Sequence, residues 1–473
     1  MEAPRAFVTA LAVALSLSGR ATPPAQQSRA GSLDGAVDAI ANTALRDLHL
    51  PSLSIVIARG SRVLIAKAYG LSDYENDVPA SERTVYRIGS ITKQFTAAAV
   101  LRLAEQRKLS LDDQISRYIP RLQKHEWRVS IRQLLNHTSG IRSFTAIPGF
   151  ASKERLDLSD DELLAVFESE ALDFEPGTNF LYNNSAFYLL AMMIERLSGR
   201  VYQDYMRDEV FVPLGLADTR ACDDHQLIAH RARGYTVVGG AWQNAPFISM
   251  APPKGGGNLC STARDVAKWS LALAEGRIIS RESYRLMTEP SALRDGRRIA
   301  YGLGLFLSTL DGRPEVSHGG GIVGFSSFLG VYPADDLTVV TLTNSDTAQL
   351  YDGHVARQIA RAVTGRPRPE PRNVRADSTP LDRFAGTYQL GSAMMAVQID
   401  GTRLTISGGG SVEQLWERDF VYRGGGLFMS VENPEFRLTF KTVAPRSMRM
   451  SMTLSERAFG DAARVESPTG RNR

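Results

Sequence analysis

Pro367, Pro369, Pro371 and Pro380 crowd into one stretch of the chain, among Arg361, Arg366, Arg368, Arg372 and Arg375. Proline removes a backbone donor and fixes φ, so neither a helix interior nor a central strand can run through such a stretch. The chain therefore divides. Residues 34–362 mix helical and strand patterns, 363–380 read as a Pro/Arg-rich linker, and 381–473 carry short β-type runs separated by glycine turns. A length of 473 residues suits more than one domain. With 43% hydrophobic and 22% charged residues, the composition excludes a disordered chain, a collagen-like fibre and a membrane bundle. The net charge is only +4, and the densest basic stretch is the linker itself. That pattern reads as solvated rather than as a phosphate-binding face, so no nucleic-acid partner is expected.

Ala6–Ser18 is an unbroken run of apolar and small residues. It has the length of a signal-peptide h-region and is too short to span a bilayer. We read 1–21 as a signal peptide cut after Ala21 and 22–33 as a flexible lead-in. The product would be periplasmic or secreted, with no stable membrane insertion after signal removal. In such a compartment Cys222 and Cys260 could pair, but their spacing leaves a disulfide and two buried thiols equally open.

Within 34–362, Leu53–Ala58 and Arg62–Ala66 read as a hairpin turned at Arg59-Gly60-Ser61. Ser90–Lys108 reads as a helix whose first half, Ala97 to Leu101, is apolar all round and so buried. A second helix spans Ser185–Leu197 and stops at Gly199. Strands follow at 301–308, 315–318, 324–332 and 337–343. In the tail, Thr387–Leu390, Met395–Ile399, Leu404–Ser407, Val412–Trp416, Leu427–Val431, Phe436–Phe440 and Met448–Leu454 suggest a small antiparallel barrel or sandwich.

Three short stretches carry chemistry. In Ser90-Ile91-Thr92-Lys93, serine and lysine lie three apart, on one face of a helix. Ser90 sits at the helix start, where free N–H groups favour a developing oxyanion. A buried lysine loses its charge readily and can then take the serine proton. Taken alone, an N-capping serine with a solvated lysine fits the same pattern. In Tyr182-Asn183-Asn184, a phenol beside a cation can have a lowered pKa and relay a proton. The Asn184 amide can donate to and accept from a substrate amide, although a helix-capping role fits equally. In His318-Gly319-Gly320-Gly321, glycines allow close backbone approach, and His318 can donate a hydrogen bond or carry charge in mild acid. No G-x-S-x-G elbow, H-E-x-x-H or H-x-H motif occurs, which argues against an α/β-hydrolase and against a histidine-built metal site.

The order S-x-x-K, Y-x-N, H-x-G resembles the serine β-lactamase and penicillin-binding-protein superfamily, above all its class C β-lactamase-like group. Leu134–Gly140, Pro213–Leu216, Gly256–Thr262 and Thr341–Asn344 resemble stretches of that group as well. The resemblance covers about 34–360. It implies an α/β (α+β) β-lactamase/transpeptidase-like fold: an antiparallel sheet flanked by helices, an all-helical region, and the site between them. It also implies Ser90 as nucleophile, Lys93 and Tyr182 as shared general base, and Tyr182 as later proton donor. Asn184, His318, Gly320 and Gly321 would bind substrate, with the N–H groups of Ser90 and Gly321 as oxyanion hole, and His137 would be structural. The implied activity is hydrolysis through a Ser acyl-enzyme, on D-alanyl peptide or β-lactam amides. The alternatives are a carboxylesterase, a class C-like β-lactamase, or a non-catalytic binder of penicillin or cell-wall peptides. The substrate would be a small molecule or peptide, and no cofactor or metal is implied. Histidine in place of the third-motif lysine departs from true class C β-lactamases. From Phe384-Ala385-Gly386-Thr387-Tyr388 and the strand runs, the tail resembles a lipocalin-like domain. In some relatives such a domain leans over the site, so deleting 377–473 is expected to change specificity more than acylation of small esters.

Overall fold

Two of the β-runs, Ser52–Arg59 and Leu337–Thr343, pair antiparallel at the centre of the first unit. Nearly every residue on them is buried, because both faces of the sheet are covered. Side chains alternate between the faces along each strand. Leu53, Ile55, Ile57, Leu337 and Val339 pack against the helices Ala25–Asp47 and His354–Thr364. Val56, Val340 and Leu342 face the opposite core, which holds the helices Thr92–Glu105 and Ala263–Ala274. This computed structural model describes residues 25–465 apart from 126, 347–349, 351–352, 368–378, 410–418, 432–435, 445–446 and 456, with backbone alone for 25–32 and 409. The leader read at 1–21, the Val412–Trp416 strand and most of the linker fall outside the described residues.

The full sheet has seven antiparallel strands. In spatial order they are Val78–Pro79, Arg62–Asp73, Ser52–Arg59, Leu337–Thr343, Phe325–Tyr332, Arg313–Ile322 and Phe306–Leu310. Beside it lies the helical region, built around Thr92–Glu105 and Asn184–Ser198. The lead-in read at 22–33 is helical from Ala25 onward. Its alanines and glutamines are good helix formers, and Pro23 and Pro24 stand just before the first turn, where proline is tolerated. At the other end the helix His354–Thr364 reaches past the boundary placed at 362 and is closed by Gly365 in the left-handed region.

The tail forms a closed eight-stranded antiparallel barrel in which each strand pairs with its neighbour in sequence and Arg457–Val465 closes on Gly386–Leu390. At eight strands the interior of a barrel is filled by side chains. Phe436, Leu438, Phe440, Met450, Met452 and Leu454 alternate inward and fill it. The sequence reading missed the strands Asp419–Gly424 and Arg457–Val465, whose polar and small residues mask their inward positions.

A buried ion pair ties the C-terminal helix of the first unit to the strand Arg313–Ile322. Arg357 meets Glu315 through two contacts, Nε to Oε2 at 3.0 Å and Nη2 to Oε1 at 2.9 Å. The hydroxyls of Ser308 and Ser317 donate to the same carboxylate. The Glu315 side chain is fully buried. Arg357→Ala leaves that carboxylate uncompensated and is expected to cost roughly 3–5 kcal/mol in chemical denaturation. The double variant Glu315→Leu/Arg357→Met should recover most of the loss, and failure to recover would refute the unpaired-charge account.

Candidate active site

The site begins where two glycine-rich stretches touch. Gly89 has φ of +48°, and a Cβ there would lie 3.0 Å from the Gly321 nitrogen and 3.1 Å from the Gly320 carbonyl carbon. At Gly320 a Cβ would lie 2.1 Å from the Ile88 oxygen. Only glycine at both positions lets the strand Arg313–Ile322 run against the turn before Ser90. The Ser327 hydroxyl pins that contact by donating to the Ile88 carbonyl at 2.8 Å. The edge strand Phe306–Leu310 pairs with its neighbour only as far as Ser317, so Gly319–Ile322 keep an edge clear of strand pairing. Gly321 and Ser90 line one cavity there.

Ser90 lies in a short 3₁₀ turn, Gly89–Ile91, that leads into the helix Thr92–Glu105. The helix ends three residues before the expected Lys108, because Arg107 takes positive φ. Lys93 follows Ser90 by one turn and is fully buried. Its Nζ stands 3.0 Å from Ser90 Oγ, 2.9 Å from Asn184 Oδ1 and 2.9 Å from the Gly256 carbonyl. No carboxylate is among these partners, and burial alone holds the pKa of Lys93 well below the usual lysine range. In its neutral form the amine has two protons and one lone pair. The two carbonyl oxygens can only accept, so the protons go to them and the lone pair faces the Ser90 hydroxyl.

Tyr182 lies behind this pair, with Lys93 Nζ 4.7 Å from its ring centroid. Its hydroxyl is buried and faces that of Ser90, without a well-formed hydrogen bond among the described residues. Burial pushes its pKa up, opposed in part by the Ser90 hydroxyl. The expectation of a lowered phenol pKa is thereby reversed: desolvation outweighs the Ser90 hydroxyl, and Tyr182 stays protonated. Asn184 opens the helix Asn184–Ser198 and is on the cavity wall. Its Oδ1 accepts from Lys93 and its Nδ2 donates to Thr145 Oγ1 at 3.3 Å, so it orients the lysine. The capping role belongs to Asn183, whose Oδ1 accepts from the Ala186 N–H.

His318 departs furthest from expectation. It is 1% exposed and absent from the cavity wall. Its Nδ1 stands 2.6 Å from the Gly319 carbonyl, which can only accept, so Nδ1 carries the proton. Nε2 therefore accepts from the Tyr301 hydroxyl at 3.0 Å. Burial, with Lys93 as a lesser cause, holds its pKa down at about 3. His318 thus offers a substrate neither a charge in mild acid nor a free N–H. Gly320 is also off the wall and acts through close approach alone, while Gly321 is on it.

His137 is structural, as expected, and it holds the tyrosine motif directly. Its carbonyl accepts from the Leu181 N–H at 3.1 Å and its Nδ1 accepts from the Asn183 N–H at 3.1 Å, clamping Tyr182 from both sides. Sequence reasoning did not single out the Gly256 carbonyl, Thr145 or Tyr301. Gly256 and His137 fall within stretches that carried the family resemblance, but without assigned roles. Tyr301 had no sequence signal, since its partner His318 becomes a neighbour only through the sheet.

The cavity beside Ser90 measures about 220 Å³. This is below the ~300–1,000 Å³ of drug-sized sites and gives room for one small residue. Phe144, Phe150, Ile248, Pro253 and Ile322 give it mostly apolar walls. Lys254 on the wall is paired with Asp160 at 2.6 Å and Glu195 at 2.8 Å. Cys222 and Cys260 form a disulfide, and the loop it closes carries Ile248, Pro253, Lys254 and Gly256.

The low pKa of His318 links stability to pH. Between about 3 and 6.5 the unfolded chain binds the proton and the folded chain does not. Stability is therefore complete above pH 6.5 and falls as pH drops through that window. His137 shifts in the same direction, first through burial. His318→Asn should flatten the pH dependence of the denaturation free energy between pH 4 and 6.5 by up to ~1.36 kcal/mol per pH unit. An unchanged slope would rule out His318 as the source.

A family model described as Beta-lactamase matches residues 37–364. Penicillin-binding protein 4* of Bacillus subtilis (strain 168) is 26% identical over 368 residues, covering 73% of this chain and 81% of that protein. Among solved structures, the octameric penicillin-binding protein homologue from Pyrococcus abyssi aligns with a TM-score of 0.63 at 24% identity, covering 91% of this chain and 100% of that one. A D-stereospecific amidohydrolase from Streptomyces sp. aligns with a TM-score of 0.59 at 26% identity, covering 69% of this chain and 97% of that one.

Proposed function

The chain belongs to the β-lactamase family, and from that premise we propose that it is a serine hydrolase that cleaves amide bonds of D-amino-acid derivatives through an acyl-enzyme on Ser90. The observation that carries this reading is the Lys93 amine. It is desolvated, bonded to two carbonyls, and has its lone pair on the Ser90 hydroxyl. In acylation Lys93 takes the Ser90 proton as Oγ attacks the substrate carbonyl. The N–H groups of Ser90 and Gly321 receive the oxyanion, each donor accounting for about 10²–10³ in rate. Tyr182, held protonated, donates to the leaving nitrogen as the C–N bond breaks. The Lys93 ammonium returns its proton to the Tyr182 phenolate, and water then hydrolyses the ester with Lys93 again as base, its proton passing to the departing Ser90 Oγ.

The small apolar cavity supports an acyl residue with a short hydrophobic side chain. The likeness to a D-stereospecific amidohydrolase supports the D configuration. Against a β-lactamase reading stands the absence of a third-motif cation: His318 is neutral and turned to Tyr301, and Lys254 is neutralised by two carboxylates. We keep export to the periplasm or medium as part of the proposal, because the disulfide fits an oxidising compartment.

Incubation with a fluorophosphonate should add one label at Ser90 by intact mass and peptide mapping, and Ser90→Ala should abolish both label and turnover. Absence of an adduct on folded protein would sink the hydrolase reading. A kcat/KM for nitrocefin above that for a D-alanine p-nitroanilide would reverse the substrate order. Lys93→Met should lower acylation by about 10²–10⁴. Because only the neutral amine is competent, wild-type kcat/KM should rise with pH and level off well below pH 10.5, and an acid limb placed near 10.5 would show that Lys93 rests charged.

A further inference from the structure

The barrel and the catalytic unit share one continuous apolar cluster, and Tyr182 belongs to it. Phe180, Tyr182, Ile299, Tyr301 and Phe306 from the first unit pack with Leu390, Phe459 and Phe436 from the second. Phe459, on the strand Arg457–Val465, is the link. Its ring centroid lies 5.4 Å from Phe180, 6.0 Å from Phe306 and 5.0 Å from Phe436 in the barrel core. Phe306 in turn lies 6.1 Å from Tyr182 with ring planes 8° apart, and 5.0 Å from His318. Phe180 stands two residues before Tyr182.

Backbone bonds lock this junction. Ala300 donates to the Ala458 carbonyl at 3.0 Å and Ala458 donates to the Arg298 carbonyl at 2.8 Å, so the segment entering Tyr301 pairs with the barrel strand. Arg457 donates to the Leu307 carbonyl at 3.0 Å, and Arg297 pairs with Asp461 at 2.5 Å. On the far side, Asp173 accepts from the Ser392 N–H at 2.8 Å. Among the described residues no well-formed hydrogen bond fixes the Tyr182 hydroxyl, which faces that of Ser90. Its placement therefore depends on ring packing and on the His137 clamp.

We propose that Phe459 is a positioning residue for Tyr182, acting through Phe306 and Phe180, so that the barrel is part of the machinery of the acyl-transfer reaction proposed above. This replaces the expectation that deleting the tail alters specificity first. Removal would uncover Phe180, Ile299, Tyr301 and Phe306, and loosen the tyrosine for every substrate alike.

The test uses the full chain with a D-alanine p-nitroanilide and a p-nitrophenyl ester. Phe459→Ala should lower kcat for the anilide by roughly 10-fold to 10²-fold, the scale of a small misplacement of a catalytic group, and less for the ester, whose p-nitrophenolate leaves without a proton. KM should stay within about twofold, since transition-state interactions are what is lost. Phe459→Leu should restore most of kcat. Phe436→Ala, which removes a neighbouring ring in the barrel core, should lower the Tm comparably while kcat stays near wild type. Unchanged kcat in Phe459→Ala, a change confined to KM for one substrate, or an equal kcat loss in Phe436→Ala would overturn the proposal. Fluorophosphonate labelling separates the two levels. If the wild type fails to label, the hydrolase reading fails; if it labels and Phe459→Ala keeps the wild-type kcat for the anilide, only the positioning role fails.

Discussion

Desolvation of one lysine organises this site. An ammonium buried without a counter-charge is costly, and proteins avoid the cost by neutralising the group. Here the surroundings are arranged for the neutral amine: two carbonyl acceptors, aromatic walls from Tyr182 and Phe187, and no carboxylate in contact. The same desolvation sets the state of its neighbours. Burial keeps the proton on the Tyr182 phenol and keeps His318 and His137 neutral, with Lys93 as a lesser cause for the two histidines. A charged group introduced at any of these positions would disturb all four.

The architecture keeps this group dry by closing it from several sides. The helix Thr92–Glu105 buries Lys93 on the nucleophile side, and the Gly256 turn covers its tip. The close approach at Gly89 and Gly320 brings the sheet edge against the helix start. Behind Tyr182 the barrel seals the remaining face with Phe459. A domain that a sequence reader would set aside as an accessory is thus continuous with the site's own packing.

Much of this was legible beforehand. The strand 337–343 was read residue for residue, and the helix ending at Gly199 was read to within one residue. Both carry strong local signals: a continuous β-branched run in one case, an apolar stripe with a glycine stop in the other. Ser90, Lys93 and Tyr182 could be named because their spacing and order are written in the chain. The burial of Ala97–Leu101 and of Lys93 was read correctly; what failed was the environment of His318 and of Tyr182. His318 looked like a loop histidine open to substrate, yet it points to Tyr301; Tyr182 looked like an acidified phenol, yet its pKa is raised. The Cys222–Cys260 bond was undecidable from spacing, since it depends on two short strands meeting.

The sequence by itself determined the chemistry that the chain can attempt. A serine and a lysine one helical turn apart are a local fact that no packing can undo. Only the tertiary structure decided the protonation states and the allegiance of the barrel. Those depend on how much water each group loses and on which rings face which, and burial of that kind is created by contacts between residues far apart in the chain.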